Sequence, residues 1–179
     1  MARATLILVA DDDPDVLKAA AAALARPGVT VETLTFPQGL AARASEADVI
    51  LLDMNFAAGA RSGAEGFDAL AAIRAADPAL SVVLMTTYGG VALAVEALKR
   101  GAVDFVLKPW RNEALGQALA AAARLTAERR AGAELNLDEL EKRAIERALA
   151  IHAGNVSKAA AALGLTRPAL YRRMARHGL

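Results

Sequence analysis

The stretch LILVADDDPDVL, residues 6–17, runs an apolar segment directly into four carboxylates, Asp11, Asp12, Asp13 and Asp15. Every position from Leu6 to Ala10 is apolar, which is the pattern of a strand covered on both faces. Pro14 then suits the first turn of a helix, over roughly 14–26. Strand segments recur at 29–34 (VTVETL), 48–53 (DVILLD), 80–86 (LSVVLMT) and 103–107 (VDFVL). Helical patterns fall between and after them, near 37–46, 66–76, 90–100 and 111–130. Pro37, Pro78 and Pro109 punctuate their boundaries. Strands alternating with helices predict an α/β domain, a five-stranded parallel sheet doubly wound with helices on both faces.

The chain has 179 residues, room for one full domain and a smaller one. Its charge is unevenly spread. Residues 1–125 carry 11 Lys and Arg against 14 Asp and Glu, and residues 126–179 carry 10 against 6. From His152 onward there are five basic residues and no acidic one. That asymmetry implies an acidic module followed by one that binds nucleic acid. Without cysteine, disulfides, thiolate metal sites and cysteine nucleophiles are excluded. No apolar run approaches the ~18 residues of a membrane span, and MARATLILVADDD does not read as a signal peptide. The expectation is a cytoplasmic protein that does not enter a membrane.

In a parallel sheet, ligands gather beyond the carboxyl ends of the strands. The residues there are Asp11 and Asp12 after the first strand, Asp53 at the end of the third, Thr86 at the end of the fourth and Lys108 after the fifth. Three carboxylates at one edge repel, and burial raises their pKa. A divalent cation resolves the conflict, and oxygen-only ligands point to Mg²⁺. The cation, an ammonium and a hydroxyl around one carboxylate suit an incoming phosphoryl group. Asp53 is then the candidate nucleophile, forming an acyl phosphate.

The pieces ILVADDDPDVL, VILLDMNF, VVLMTTYGG and GAVDFVLKPW, in that order over residues 5–125, resemble the receiver domain of two-component response regulators, a flavodoxin-like fold. That resemblance implies that Asp12 binds Mg²⁺ directly, that Asp11 does so largely through water, and that the backbone carbonyl of Asn55 is a further ligand. It implies that Asp53 is the phosphoacceptor, that Thr86 and Phe105 reorient on phosphorylation, and that Lys108 is the conserved-type lysine. Two departures stand out: Thr87 sits where the family usually has a smaller residue, and the loop 55–66 is longer than the family's by about five residues. Arg61 in that loop is most simply a solvated surface residue, and Asn55 and Tyr88 flank the acceptor, where they would tune acyl-phosphate hydrolysis.

The segment TAERRAGAELN, 126–136, reads as a linker into which the preceding helix extends. It separates a domain at 1–125 from a small all-α domain at 137–179. In DELEKRAIERALAIH, Asp138 and Glu141 have capping-box spacing, and Leu140, Ala144, Ile145, Ala148 and Leu149 share a face. Helices at about 155–163 and 167–177 follow, separated by Gly164, with Thr166 as N-cap and Pro168 in the first turn. A short helix, a tight turn and a basic helix form a helix-turn-helix plan. Leu170 and Met174 should face a core with Leu163 and Leu165. Ala169, Arg172, Arg173 and Arg176 form the opposite face, suited to a DNA major groove, with Arg167 and Tyr171 beside it. His152 and His177 lack a partner at metal-ligand spacing and are expected to pack or cap.

Residues 136–179, above all GNVSKAAAALGLTRPALYRR, resemble a Fis-type helix-turn-helix, the kind ending many bacterial enhancer-binding activators. Their usual central ATPase has no counterpart, since no G-x-x-x-x-G-K-[ST] occurs and no room is left for it. The resulting expectation is a regulator, not an enzyme. A histidine kinase would phosphorylate it, and it would bind an inverted repeat in double-stranded DNA as a homodimer. Leu115 and Leu119 are either dimer interface or sheet-facing core. The rival is a phosphatase of the haloacid dehalogenase type, with its nucleophile in DDDPD. It lacks a suitable later acidic pair and leaves the basic tail without a role, and substitution of Asp53 separates the two.

Overall fold

The computed structural model describes residues 3–56, 63–87, 91–134 and 137–179. They form two compact units, residues 1–129 and 130–179. In the first unit the apolar runs become five parallel strands: β1 Thr5–Ala10, β2 Val29–Leu34, β3 Val49–Asp53, β4 Ser81–Thr86 and β5 Asp104–Leu107. Their order in the sheet is β2-β1-β3-β4-β5. The central strands β3 and β4 are buried at every position, as their unbroken apolar sequences require. Register pairs Leu8 with Ile50 and Ile50 with Val82, so side chains of one parity align across the sheet.

The two faces carry separate cores. Leu8, Ile50, Leu52, Val82 and Leu84 meet Phe67, Leu70 and Ile73 of α2, Ala64–Ala76, and Ala97 of α3, Val91–Lys99. On the other face Ile7, Val9, Leu51, Val83 and Met85 meet Leu17, Ala20 and Leu24 of α1, Pro14–Leu24, and Leu115, Leu119 and Ala122 of α4, Asn112–Glu134. Leu115 and Leu119 are therefore sheet-facing core and not an interface between copies. The expected helix at 37–46 is absent; only a 3-10 turn, Ala41–Arg43, forms there. The amides of Leu40, Arg43, Ala44 and Glu46 each bond three residues back. Arg43 reaches out of that turn to Glu32 of β2 at 2.8 Å and to Glu46 at 3.1 Å. Leu40, Ala44 and Ala47 still bury, so their apolar spacing is met without an α-helix.

Helix α4 continues as far as Glu134, through most of the segment expected as a linker. In the second unit α5 Leu137–Ile151, α6 Val156–Ala162 and α7 Arg167–His177 pack around Ile145, Ala148, Ala159, Ala160 and Leu170. Leu163, Leu165 and Met174 close that core, as their spacing predicts. Leu140 and Ala144, expected on the buried stripe of α5, are exposed instead. The turn between α6 and α7 uses Gly164 at φ 66°, a left-handed value that a side chain would disfavour. The Thr166 hydroxyl then caps α7 by accepting from the Ala169 amide.

Candidate functional site

The acidic edge lies beyond the carboxyl ends of β1 and β3, at the point where strand order reverses. Asp11 follows β1 and is fully buried, and Asp53 ends β3 and is nearly so. Lys108, one residue past β5, spans them, with Nζ 2.5 Å from Asp11 Oδ2 and 2.7 Å from Asp53 Oδ1. The remaining oxygens are also engaged. Asp53 Oδ2 accepts from the Asn55 amide at 2.7 Å, and Asp11 Oδ1 accepts from the Asp13 amide at 2.9 Å. Asp13 in turn caps α1 by accepting from the Asp15 amide. Of the four acids that close the opening strand, Asp11 faces inward, Asp13 serves the helix, and Asp12 stays exposed.

Donor oxygens of Asp11, Asp12 and Asp53 lie within 4.8 Å of one another. Burial pushes the Asp11 carboxyl above the ordinary aspartate value. Hydrogen bonds from Lys108 and Asp13 and the charge of Lys108 oppose the rise, and the charge of Asp53 adds to it. On Lys108 burial acts downward, but its bonds to Asp11 and Asp53 outweigh burial and raise it. One ammonium among three carboxylates leaves the cluster short of positive charge. An all-oxygen donor set with that deficit fits a hard divalent cation.

Thr86 is buried at the end of β4, and its carbonyl accepts from the Lys108 amide at 2.9 Å. Phe105 on β5 is half-buried and packs on the α2 and α3 side of the sheet. Thr87 is exposed and lines a groove of about 460 Å³ with Asp15, Val16, Lys108, Pro109 and Trp110. Arg61 and Tyr88 lie outside the described residues.

Three contacts around Asp53 were not evident from the sequence. The Asn55 side-chain oxygen accepts from the Gly63 amide at 2.9 Å, and the Glu65 carboxylate accepts from the Phe56 amide at 2.8 Å. Gly66 of α2 lies against the main chain of Asp53 and Met54, and a Cβ there would sit 2.7 Å from Met54 Cα.

On α7, Ala169, Arg172, Arg173 and Arg176 line a cleft of about 300 Å³. Arg172 is exposed and has no ion pair among the described residues. Arg167 donates to the Tyr171 hydroxyl at 3.3 Å and lies over its ring, 5.5 Å from the centroid. Arg173 and Arg176 are not free cations, because both pair with Glu141 of α5. Arg176 also pairs with Asp138 at 2.8 Å, and His177 Nε2 lies 2.9 Å from Glu141. Helix α5 begins at Leu137, so Asp138 is inside it, and these two acids bind α7 where a capping box was expected. Asp138, Glu141 and His177 have donor atoms within 4.8 Å of each other, but Glu141 already serves two guanidiniums.

A doubly wound sheet with a lysine-bridged acidic edge, followed in sequence by a basic helix-turn-helix, has the plan of a receiver domain joined to a helix-turn-helix module. Residues 7–120 match the model of the response regulator receiver domain, and residues 136–177 match that of bacterial regulatory proteins of the Fis family. The chain belongs to the response regulator receiver family, and the two matches leave no room for an ATPase between them.

The response regulator protein TodT of Pseudomonas putida is 31% identical over 154 residues, covering 79% of this chain and 63% of TodT. The tetrathionate response regulatory protein TtrR of Salmonella typhimurium is 39% identical over 111 residues, 61% of this chain and 52% of TtrR. The chain thus spans somewhat over half the length of these relatives. A response regulator protein from Burkholderia pseudomallei, solved with a phosphorylated aspartic acid, a calcium ion and citrate, is 27% identical, with a TM-score of 0.55. That match covers 94% of this chain and 97% of the other. No helix among the described residues is long and apolar enough to cross a membrane.

Proposed function

We propose that this chain is a cytoplasmic transcription regulator switched by phosphorylation of Asp53, with residues 1–125 as the receiver and 137–179 as the DNA-binding domain. A histidine kinase is the donor. An Asp53 oxygen attacks the phosphohistidine phosphorus, the N–P bond breaks, and an acyl phosphate forms. The observation that carries this reading is the Asp53 carboxylate at the sheet's carboxyl edge, bonded to Lys108 at 2.7 Å within an acidic cluster. Asp11, Asp12, Asp53 and the Asn55 carbonyl would hold Mg²⁺, which when bound supplies positive charge against the phosphoryl oxygens. Lys108 stabilises the same charge, and the Thr86 hydroxyl donates to the phosphoryl group, with Phe105 following the change in β4 and β5. The phosphorylated aspartic acid and calcium ion in the Burkholderia pseudomallei protein support these roles by similarity.

The output is DNA binding through α7, with Arg167, Ala169, Tyr171, Arg172, Arg173 and Arg176 as the contacting residues. The chain acts as a homodimer on an inverted repeat. Val95, Leu98 and Leu107, exposed apolar residues of α3 and β5, are the candidate interface. A phosphatase reading gives the basic α7 no role. The test is fluorescence anisotropy on inverted-repeat duplexes, with and without acetyl phosphate and Mg²⁺, at two salt concentrations. The expected result is an affinity that changes with acetyl phosphate and falls steeply with salt. An affinity indifferent to both conditions would overturn the reading.

A further inference from the structure

The contacting helix α7 carries its arginines in two different states. Arg172 is exposed and uncommitted, whereas Arg173 and Arg176 each give a terminal nitrogen to Glu141. The Glu141 carboxylate is only 18% exposed, while Arg173 and Arg176 are 43% and 58% exposed. Each guanidinium has five N–H donors, so the pairing of Arg173 with Glu141, and of Arg176 with Glu141 and Asp138, leaves others for a ligand. Both arginines also line the cleft shared with Ala169 and Arg172. Their side chains are thus tethered from behind and open in front. Asp138 and Glu141 offset the charge of Arg173 and Arg176, so Arg172 supplies the uncompensated charge of the cleft.

Two consequences follow, and they act in opposite directions on two kinds of DNA. Affinity for any duplex grows with the number of phosphates neutralised, so offsetting two arginines weakens indiscriminate binding. Affinity for a matching site depends on ordered side chains reaching base edges, and ordering them beforehand removes an entropic cost. We infer that Glu141 is a positioning residue that sets sequence discrimination: it holds Arg173 and Arg176 in one arrangement and suppresses their pairing with arbitrary phosphates. This rests on the reading that α7 contacts DNA.

The test uses the full chain, a duplex that it selects from a random library, and a scrambled duplex of equal length. Glu141→Gln removes the charge and keeps the shape. Its affinity for scrambled duplex should rise roughly two- to fivefold, since one offsetting charge near the cleft is lost. Its salt slope should steepen by about one. The ratio of selected to scrambled affinity should fall about fivefold or more, because two side chains lose their tether. Glu141→Asp, which keeps the charge, should retain the parent salt slope. A purely structural role would instead lower both affinities together with helix content and leave the ratio alone, and that result overturns the inference.

Asp138→Asn covers the case in which the Gln variant fails to fold. Asp138 is 73% exposed and pairs with Arg176 of the two tethered arginines, so a smaller change in the same direction is expected, and an unchanged ratio overturns the inference. Arg172→Ala and Arg173→Ala separate the two levels. If neither weakens binding, the α7 reading itself fails. If they weaken binding while Glu141→Gln keeps the parent ratio and slope, the Glu141 assignment alone fails.

Discussion

Replacing glycine by alanine should have opposite effects at two helical positions of this chain. Gly66 lies inside α2 and Gly132 inside α4. On propensity alone, alanine stabilises each by about 1 kcal/mol. At Gly132 nothing lies within 4 Å of the new Cβ, so that gain should be realised. At Gly66 the new carbon would stand 2.7 Å from Met54 Cα and 2.9 Å from the carbonyl oxygens of Asp53 and Met54. All three are backbone atoms of the strand end that carries Asp53, so no rotamer change relieves the contact.

Helix α2 must move by roughly 0.7 Å or more to restore ordinary packing distances. Overpacking of this kind costs about 1–3 kcal/mol. Lengthening the bond from the Gly66 amide to the Met54 carbonyl, now 3.1 Å, costs about another 1 kcal/mol. Net of propensity, Gly66→Ala should destabilise the first unit by about 1–3 kcal/mol, a fall in Tm of about 4–12 °C. Gly132→Ala, in the smaller second unit, should raise the Tm of its transition by about 4–8 °C. Thermal unfolding followed by circular dichroism reads both. A Gly66→Ala protein as stable as the parent, with an unchanged rate of labelling by acetyl phosphate, would refute the close approach of α2 to Asp53.

Thr126 is buried, accepts from the Ser81 amide at 2.9 Å and donates to the Ala122 carbonyl at 3.2 Å, so it ties α4 to the start of β4. Thr126→Val keeps the shape and orphans the amide, and urea denaturation should register a loss of about 1–3 kcal/mol, with Thr126→Ser close to the parent. Lys108→Met should destabilise the chelator-treated protein by about 3–5 kcal/mol, because Asp11 and Asp53 lose their buried partner. Mg²⁺ should recover more stability in that variant than in the parent, as read by urea midpoints. Because Asp11 is raised above its ordinary 3.8 by burial, the folded state binds that proton more tightly than the unfolded chain. In EDTA its contribution to stability should therefore fall as pH rises from 3.8 through the raised value. Asp11→Asn should remove that slope, and a slope equal to the parent's would contradict it.

The sheet was legible because β1, β3 and β4 are apolar at nearly every position, which only two-sided burial explains. Once the strands are parallel, Asp53 and Lys108 must converge, so the acidic edge was legible too. Spacing failed where it fixes direction but not partner. The apolar positions Leu40, Ala44 and Ala47 suit a helix as well as the series of three-residue turns that forms. Leu115 and Leu119 mark an apolar face of α4, and only the assembled sheet shows that it is covered. On α7 the helical face correctly grouped Arg172, Arg173 and Arg176. That two of them answer to Glu141, 32 and 35 residues earlier in the chain, is a tertiary fact that no local pattern carries. Gly66 gave no signal either, since a glycine in a helix reads as a weakness until the strand beside it is in view.

The most direct measurement is the site and metal dependence of phosphoryl labelling. The intact chain is incubated with acetyl phosphate and Mg²⁺, the acyl phosphate is trapped by borohydride reduction, and the modified residue is located by peptide mass spectrometry. One modification per chain at Asp53, lost in EDTA and in Asp53→Asn, is the expected result. Labelling at Asp11 or Asp12, or labelling that persists in Asp53→Asn, would contradict it.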